Sequence, residues 1–380
     1  MRHLLSLLFS IFWLSACAST PRLPASATGL QGSLVIAGGG MDERSLEVRQ
    51  AFLERRLPGP IGVIGAASSD SLGSARRGVA GLNEVAGGQI AVALAFDSLD
   101  PALADDPDAV AMIEACGGLW FTGGSQARIL EALRPGGRES AAWLACQALL
   151  DRGGVIGGSS AGAAMMSDPM IRRGRSASAM SFGVGEEGVE IGQGMGFFPW
   201  GLVGQHFLER GRFGRMIVAL SETQTRFGWG IDEDSAILVD RATGWVEVIG
   251  ANGLALFDMR ELRASTGRWD GVILSLLGDG DRVNALTGEV VAALGSSSII
   301  PSGQRQEELV LEELFSAGAL KEAVHQLVNT NRDSVFLRED AKCALLRRGV
   351  NVRAWRPRED SALGLTSAAG LRLDLYGMTY

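Results

Sequence analysis

Histidine is scarce in this chain: among 380 residues there are three, His3, His206 and His325. Three histidines spread this widely cannot build the usual ligand clusters, so no metal site is expected. Cysteine is almost as rare. Cys17, Cys116, Cys146 and Cys343 show neither zinc-site nor Cys-x-x-Cys spacing. With Cys17 set aside, the other three leave room for one disulfide without requiring it. Cys116 and Cys146 fall in apolar helical patterns and read as buried structural thiols. Excess positive charge is missing too. Lys and Arg number 35 against 43 Asp and Glu, a formal net charge of −8, so no nucleic-acid partner is expected, since that class needs a basic face. No internal repeat recurs at a fixed period.

The apolar run over residues 4–14 is too short to span a bilayer but suits the core of a signal peptide, and Arg2 and His3 precede it. It ends Leu14-Ser15-Ala16-Cys17, which resembles a bacterial lipobox. That resemblance implies cleavage before Cys17, lipid attachment to Cys17 and tethering to a bacterial membrane. Residues 18–32 would then be a flexible leash of Ala, Ser, Thr and Pro. Ala16-Cys17-Ala18 also fits an ordinary secretory cut, so both processing routes stay open. Either one puts the mature protein outside the cytoplasm, in the periplasm or at the cell surface.

What the chain does have is glycine, 52 residues of it, gathered at the ends of short apolar runs. Strand-like segments at 33–37, 61–66, 89–96 and 118–122 alternate with helical patterns at 43–57, 72–86, 105–116, 126–133 and 139–150. Such alternation predicts an α/β fold, doubly wound, with a mostly parallel sheet and helices on both faces. Residues 236–239 and 245–249 read as paired strands at a sheet edge, joined through Asp240-Arg241-Ala242-Thr243-Gly244. The main domain is expected over 33–300. Residues 301–380 form an appended α/β extension, turning helical from Gln304 with a second helix over 338–347. Gly38-Gly39-Gly40 after the first strand lacks the Gly-x-Gly-x-x-Gly spacing, so no nucleotide or other cofactor is expected, and the triplet reads as a tight loop at the rim of a site.

The chain is organised around Val155-Ile156-Gly157-Gly158-Ser159-Ser160-Ala161-Gly162, a strand running into a serine set among small residues and then into helix formers. This is the pattern of a nucleophile elbow with Ser160 at its tip, or else of a tight glycine-rich turn that cradles phosphate or merely packs. Gly40, Gly124 and Ser160 would share the carboxyl end of one parallel sheet, where ligands bind. A serine nucleophile needs a base. His3 leaves with the signal peptide and His325 lies in a late charged helix, so His206 is the candidate, its alternative being a purely structural histidine. Arg210, Arg212 and Arg215 follow it and could hold carboxylates in two-pronged fashion, or form a solvated helix face.

Four segments together resemble the cyanophycinases: Phe121-Thr122-Gly123-Gly124-Ser125-Gln126, Gly158-Ser159-Ser160-Ala161-Gly162-Ala163, Gln205-His206-Phe207 with the three arginines, and Gly230-Ile231-Asp232-Glu233. The likeness runs over about residues 32–288. It implies a serine peptidase related to aspartyl dipeptidase, with a class I glutamine amidotransferase-like fold. Ser160 would attack a β-aspartyl-arginine unit, with His206 as general base and then acid. The amide of Ala161 and that of a glycine in the Gly123-Gly124 pair, Gly124 for preference, would form the oxyanion hole. Gln126, Gln205, Arg210, Arg212 and Arg215 match substrate-lining positions. The chain departs from that family's pattern at Ser125 and Gly204, where aspartate is usual, which weakens the case for an arginine-bearing substrate more than the case for hydrolysis. The acid that orients the histidine is not fixed by spacing: Asp168, Glu186, Glu187, Asp232 and Glu233 all compete.

The expected activity is therefore an exported serine exopeptidase acting on cyanophycin or a related isopeptide. The alternatives are an isoaspartyl dipeptidase of other specificity and a lipid-anchored binding protein with reduced catalysis. Expected partners are a peptide or isopeptide substrate and, through Cys17, a membrane. Monomer and homodimer are both left open.

Overall fold

The computed structural model describes residues 28–41, 45–301, 303–356 and 366–377. Cys17 and the expected signal segment lie outside these residues. Thr28 already donates its amide to the Ala242 carbonyl, and Arg241 donates to the carbonyl of Gln31. The leash expected through residue 32 is thus anchored to the body from residue 28.

Five short apolar strands alternate with helices through the first half. In order these are β1 (Ser33–Ala37), α1 (Leu46–Glu54), β2 (Ile61–Ile64), α2 (Ser71–Ala86), β3 (Ala91–Leu94), α3 (Pro107–Glu114), β4 (Gly118–Phe121), α4 (Gln126–Leu133), α5 (Ala141–Asp151) and β5 (Val155–Ser159). The helices start where side chains can take up orphan amides. Asp70 caps α2 through the amide of Gly73, Asp106 caps α3 through Ala109, and Ser140 caps α5 through Trp143. A four-residue helix, α6 (Ala161–Ala164), follows β5 after a single residue.

The next stretch holds β6 (Met170–Gly174), α7 (Ser176–Phe182), β7 (Val189–Gly192), β8 (Leu202–Gly204), α8 (Phe213–Thr223) and β9 (Phe227–Ile231). A run of strands continues through β10 (Ser235–Asp240), β11 (Trp245–Gly250), β12 (Leu254–Asp258), β13 (Arg263–Ser265), β14 (Arg268–Leu277), β15 (Arg282–Asn284), β16 (Val290–Val291), β17 (Ser297–Ser298) and β18 (Leu309–Glu312). The chain ends with α9 (Ala319–Asn329), β19 (Ser334–Glu339), β20 (Lys342–Arg347), β21 (Arg353–Arg356) and β22 (Ser367–Gly377).

Two large sheets result. In the first, β3-β2-β4-β5-β1 run parallel, and β10, β11, β15 and β16 extend the β1 edge antiparallel. The sheet is therefore mixed, where a mostly parallel one was expected. One reason is the turn between β10 and β11: the four residues 241–244 can return the chain only as an antiparallel neighbour. Alternate side chains of the parallel strands feed two cores. Leu34, Ile36, Phe121 and Ile156 pack with α3, α4 and α5, while Val35, Ala37, Trp120 and Val155 pack with α1 and α2 on the opposite face. Glycine at position 157 belongs to that packing, because a Cβ there would lie 2.5 Å from the Trp120 ring and 2.8 Å from Phe52.

The second sheet runs β18-β19-β20-β22-β14-β12-β9-β8, with β13, β17 and β21 off that path. The segment after residue 300 is knit into it, since β22 pairs with both β14 and β20. The helix expected over 338–347 is instead a hairpin, β19 and β20. Val335 and Leu337, then Ala344 and Leu346, are buried at a period of two, and that alternation belongs to a strand. Where the sheets approach, the carboxyl ends of β1, β4 and β5 face those of the parallel pair β8 and β9.

Candidate active site

Ser160 sits between β5 and α6 with φ 56° and ψ −109°, a conformation that few side chains adopt. Its amide donates to the Ala37 carbonyl at 3.1 Å, which ties the turn to the end of β1. Small neighbours make the turn feasible. A Cβ at residue 158 would lie 2.4 Å from the Gly162 carbonyl, and one at residue 162 would lie 2.4 Å from that of Phe121.

The second sheet brings the partners. His206 follows β8 by two residues, has φ 46°, and donates its amide to the Gly38 carbonyl at 2.8 Å. Its Nε2 lies 2.8 Å from Ser160 Oγ and its Nδ1 lies 2.5 Å from Glu233 Oε1. The sequence pattern leaves five acids in competition, and the geometry selects Glu233. Asp232, its neighbour, turns away and accepts the amides of Leu208 and Glu209 at 3.1 Å each, which fixes the turn after the histidine. Asp168 accepts the Gly194 amide, while Glu186 and Glu187 stand at the cleft mouth. A signal was present in the alternation of side chains at the end of β9, which sends adjacent residues to opposite sides. Lacking was the knowledge of which side faces the imidazole.

The glycine triplet lies against this group. A Cβ on residue 39 would fall 2.2 Å from the His206 ring, and one on residue 40 would fall 2.8 Å from the Glu233 side chain. The triplet is thus the wall behind the histidine and its acid, closer in than the rim expected of it. Gly123 and Gly124 close the turn after β4 beside Ser160. A Cβ at residue 123 would meet Ser160 Cβ at 3.3 Å, and Gly124 has φ 143° with the Ala67 carbonyl in its way. Ala161 is buried at the first position of α6.

These residues open into a cleft of about 560 Å³ that also includes Gln126, Gln205, Arg210, Arg212 and Arg215. Gln126 donates to the carbonyls of Ile171 and Arg172, holding β6 as a wall. Arg212 pins Gln205 through both the backbone carbonyl and the side-chain oxygen. Arg210 reaches to 3.6 Å from Glu233. Arg215 is 7% exposed and donates to the Gly174 carbonyl at 2.8 Å.

The loop that carries His206 and these arginines is braced by the C-terminal segment, which sequence reasoning assigned to an appendage. Gly318 donates its amide to the Leu208 carbonyl at 3.0 Å, and the rings of Phe213 and Phe315 are 5.2 Å apart. Lys321 reaches Asn252 Oδ1 at 3.4 Å, and Asn252 Nδ2 donates to the Glu233 carbonyl at 3.0 Å.

Burial lowers the pKa of His206 from its ordinary value, the hydrogen bond to Glu233 raises it in part, and the charges of Arg210 and Arg212 lower it further. The imidazole is therefore neutral, and able to accept a proton, down to a lower pH than a free histidine. The thiols contribute no comparable group: burial pushes Cys116 up to about 11 and Cys146 to about 12.

Comparison with known proteins finds relatives of one kind. The chain is 28% identical over 277 residues to the cyanophycinase of Synechococcus elongatus, covering 69% of this chain and 82% of that protein. Against the cyanophycinase of Geminocystis herdmanii it is 28% identical over 278 residues, covering 70% of this chain and 98% of the relative. A shorter stretch of 154 residues is 35% identical to the cyanophycinase of Trichormus variabilis, 40% of this chain and 48% of that one. Among solved structures, a peptidase from an acI-B1 Actinobacterium superposes with a TM-score of 0.51 at 19% identity, covering 68% of this chain and 98% of its own, a likeness of fold. No family model matches the chain.

Titration of the imidazole checks the electrostatics directly. By NMR, His206 is expected to have its midpoint below the free-histidine value of about 6.5, lower still in Glu233→Gln and higher in Arg210→Gln. A midpoint at or above the free value would contradict the arrangement. With a likeness that extends over more than two thirds of its length, the chain is similar to the cyanophycinases.

Proposed function

We propose that this protein is a serine-type peptidase that cleaves a peptide or isopeptide bond through an acyl-enzyme on Ser160. One observation carries this: a serine on a strained elbow, an imidazole 2.8 Å from its Oγ, and a carboxylate on the far imidazole nitrogen form one continuous chain. In the first half-reaction, Ser160 Oγ bonds to the scissile carbonyl carbon while its proton passes to His206 Nε2. The tetrahedral intermediate collapses, the carbon–nitrogen bond breaks, and His206 returns that proton to the leaving amine. Water then gives a proton to His206 and its hydroxyl to the acyl carbon; the bond from that carbon to Oγ breaks, His206 returns the proton to Oγ, and the acid product leaves with Ser160 restored. Glu233 holds the tautomer and balances the imidazolium charge.

The amides of Gly124 and Ala161 flank Ser160 and suit the oxyanion, and Gln126, Gln205, Arg210, Arg212 and Arg215 suit the substrate. Five parallel strands with the nucleophile at the end of β5 fit a class I glutamine amidotransferase-like scaffold. Cyanophycin or a related isopeptide is the substrate class that the relatives' names suggest.

Export belongs to the same proposal, with Cys17 as the lipid anchor on the extracytoplasmic face and ordinary secretion as the alternative. Metabolic labelling with a tagged fatty acid decides it: label on the wild type and none on Cys17→Ala is expected, and an unlabelled wild type would rule out the anchor.

Turnover of β-aspartyl dipeptides tests the chemistry. Ser160→Ala is expected to lose at least about 10³-fold in kcat, and Glu233→Gln about 10⁴-fold with the fold intact. The wild-type rate should fall on the acid side with a midpoint below the free-histidine value, because a depressed pKa keeps the base unprotonated to lower pH. Undiminished activity in Ser160→Ala would remove the mechanism.

A further inference from the structure

We infer that the cleft selects an acidic substrate, one whose leaving portion carries carboxylates rather than a basic side chain; this rests on the hydrolytic role of Ser160 proposed above. Two groups of arginines line it. Arg172, Arg173 and Arg175 come from β6 and the turn into α7, and Arg210, Arg212 and Arg215 come from the loop after His206 and from α8. Against six guanidinium groups, the acids lining the cleft are Glu186 and Glu187. The two walls are joined where Arg215 donates to the Gly174 carbonyl, so both groups border one space.

Most of this positive charge is not neutralised from within. Arg173 is engaged by Glu190 at 2.5 Å and by Glu186 at 3.9 Å, and Arg210 lies 3.6 Å from Glu233. Among the described residues, no carboxylate lies within 4.0 Å of Arg172, Arg175, Arg212 or Arg215. Arg215 is the sharpest case. It is buried, and its Nε is without a hydrogen-bond partner among the described residues. A buried cation without a counterion is costly, and so is a buried donor left unpaired. Burial first, then the charges of Arg212 and Arg210, holds its pKa well below the ordinary guanidinium value, and the same kinds of cause bring Arg212 to about 10. A planar fork that faces a cleft in this state is matched by a carboxylate, which can accept two parallel N–H bonds.

The difference in burial between the two groups suits two anionic positions. Arg212 and Arg215, on the deeper side, suit one carboxylate of the substrate. The exposed Arg172 and Arg175 suit a second one, which the proposal puts on the leaving residue. A cationic leaving residue would enter against like charge on both walls, and repulsion of the wrong partner is as effective a source of specificity as attraction of the right one.

The test compares β-aspartyl-glutamate, β-aspartyl-alanine and β-aspartyl-arginine. It measures kcat/KM with the wild type and, independently of turnover, Kd with Ser160→Ala by calorimetry. The glutamate dipeptide is expected to lead the arginine dipeptide by at least about tenfold in both readouts, with the lead shrinking as salt rises from about 0.05 to 0.3 M. Replacing both Arg172→Gln and Arg175→Gln should bring the ratio close to one while circular dichroism stays native. Equal or better use of the arginine dipeptide would overturn the inference, as would a preference insensitive to both salt and the double variant. If no dipeptide is cleaved but Ser160→Ala still binds the glutamate dipeptide preferentially, the hydrolytic role fails and the acidic selectivity stands. If none is bound, the selectivity fails as well.

Discussion

The imidazole of His206 has to touch Ser160 with one nitrogen and Glu233 with the other, and there is room for it only because residue 39 has no side chain. A Cβ at Gly39 would fall 2.2 Å from the ring. The backbone here is set by contacts to the same turn: Gly38 accepts the His206 amide, Gly39 accepts the Asp234 amide, and Ala37 accepts the Ser160 amide. The end of β1 and its glycine turn therefore hold the backbone of Ser160, of His206 and of Asp234, the residue after Glu233. The nucleophile belongs to one sheet, the base and its acid follow strands of the other, and the glycine turn is the common reference. Positive φ at both Ser160 and His206 is held by this surrounding structure, which is how strained residues persist at sites of chemistry.

Much of this could be read from the amino-acid order. The elbow at 155–162 was legible because a strand, a serine and a helix start meet within eight residues, and small residues there have a steric cause. His206 was legible by scarcity. The alternation of strands and helices through residue 151 shows in the structure with boundaries shifted by a few residues. Glu233 was not singled out, because local spacing does not tell which acid faces an imidazole on another strand. The hairpin of β19 and β20 was mistaken for a helix because charged residues at its turn and edges obscure the two-residue period of Val335, Leu337, Ala344 and Leu346.

The largest gap concerned the end of the chain. Residues beyond 300 looked like an appendage because their short apolar runs find partners that are distant in sequence. In the structure, β22 is hydrogen-bonded between β14 and β20, and the segment around Phe315, Gly318 and Lys321 supports the loop bearing His206 and the arginines. Electrostatics show the same limit of sequence reading. Arg172, Arg173 and Arg175 stand within four positions of one another, but their convergence with Arg210, Arg212 and Arg215 on one cleft depends on how β6 packs beside α8.

The central claim is that Ser160 is the nucleophile and that His206 and Glu233 activate it. Intact-protein mass spectrometry after treatment with a fluorophosphonate tests this without any assumption about the natural substrate. The phosphorus should bond to Ser160 Oγ with loss of fluoride, giving a single adduct that maps to Ser160, forms more slowly in Glu233→Gln, and is absent from Ser160→Ala and His206→Ala. An unmodified wild-type protein, or an adduct that persists in Ser160→Ala, would contradict the account.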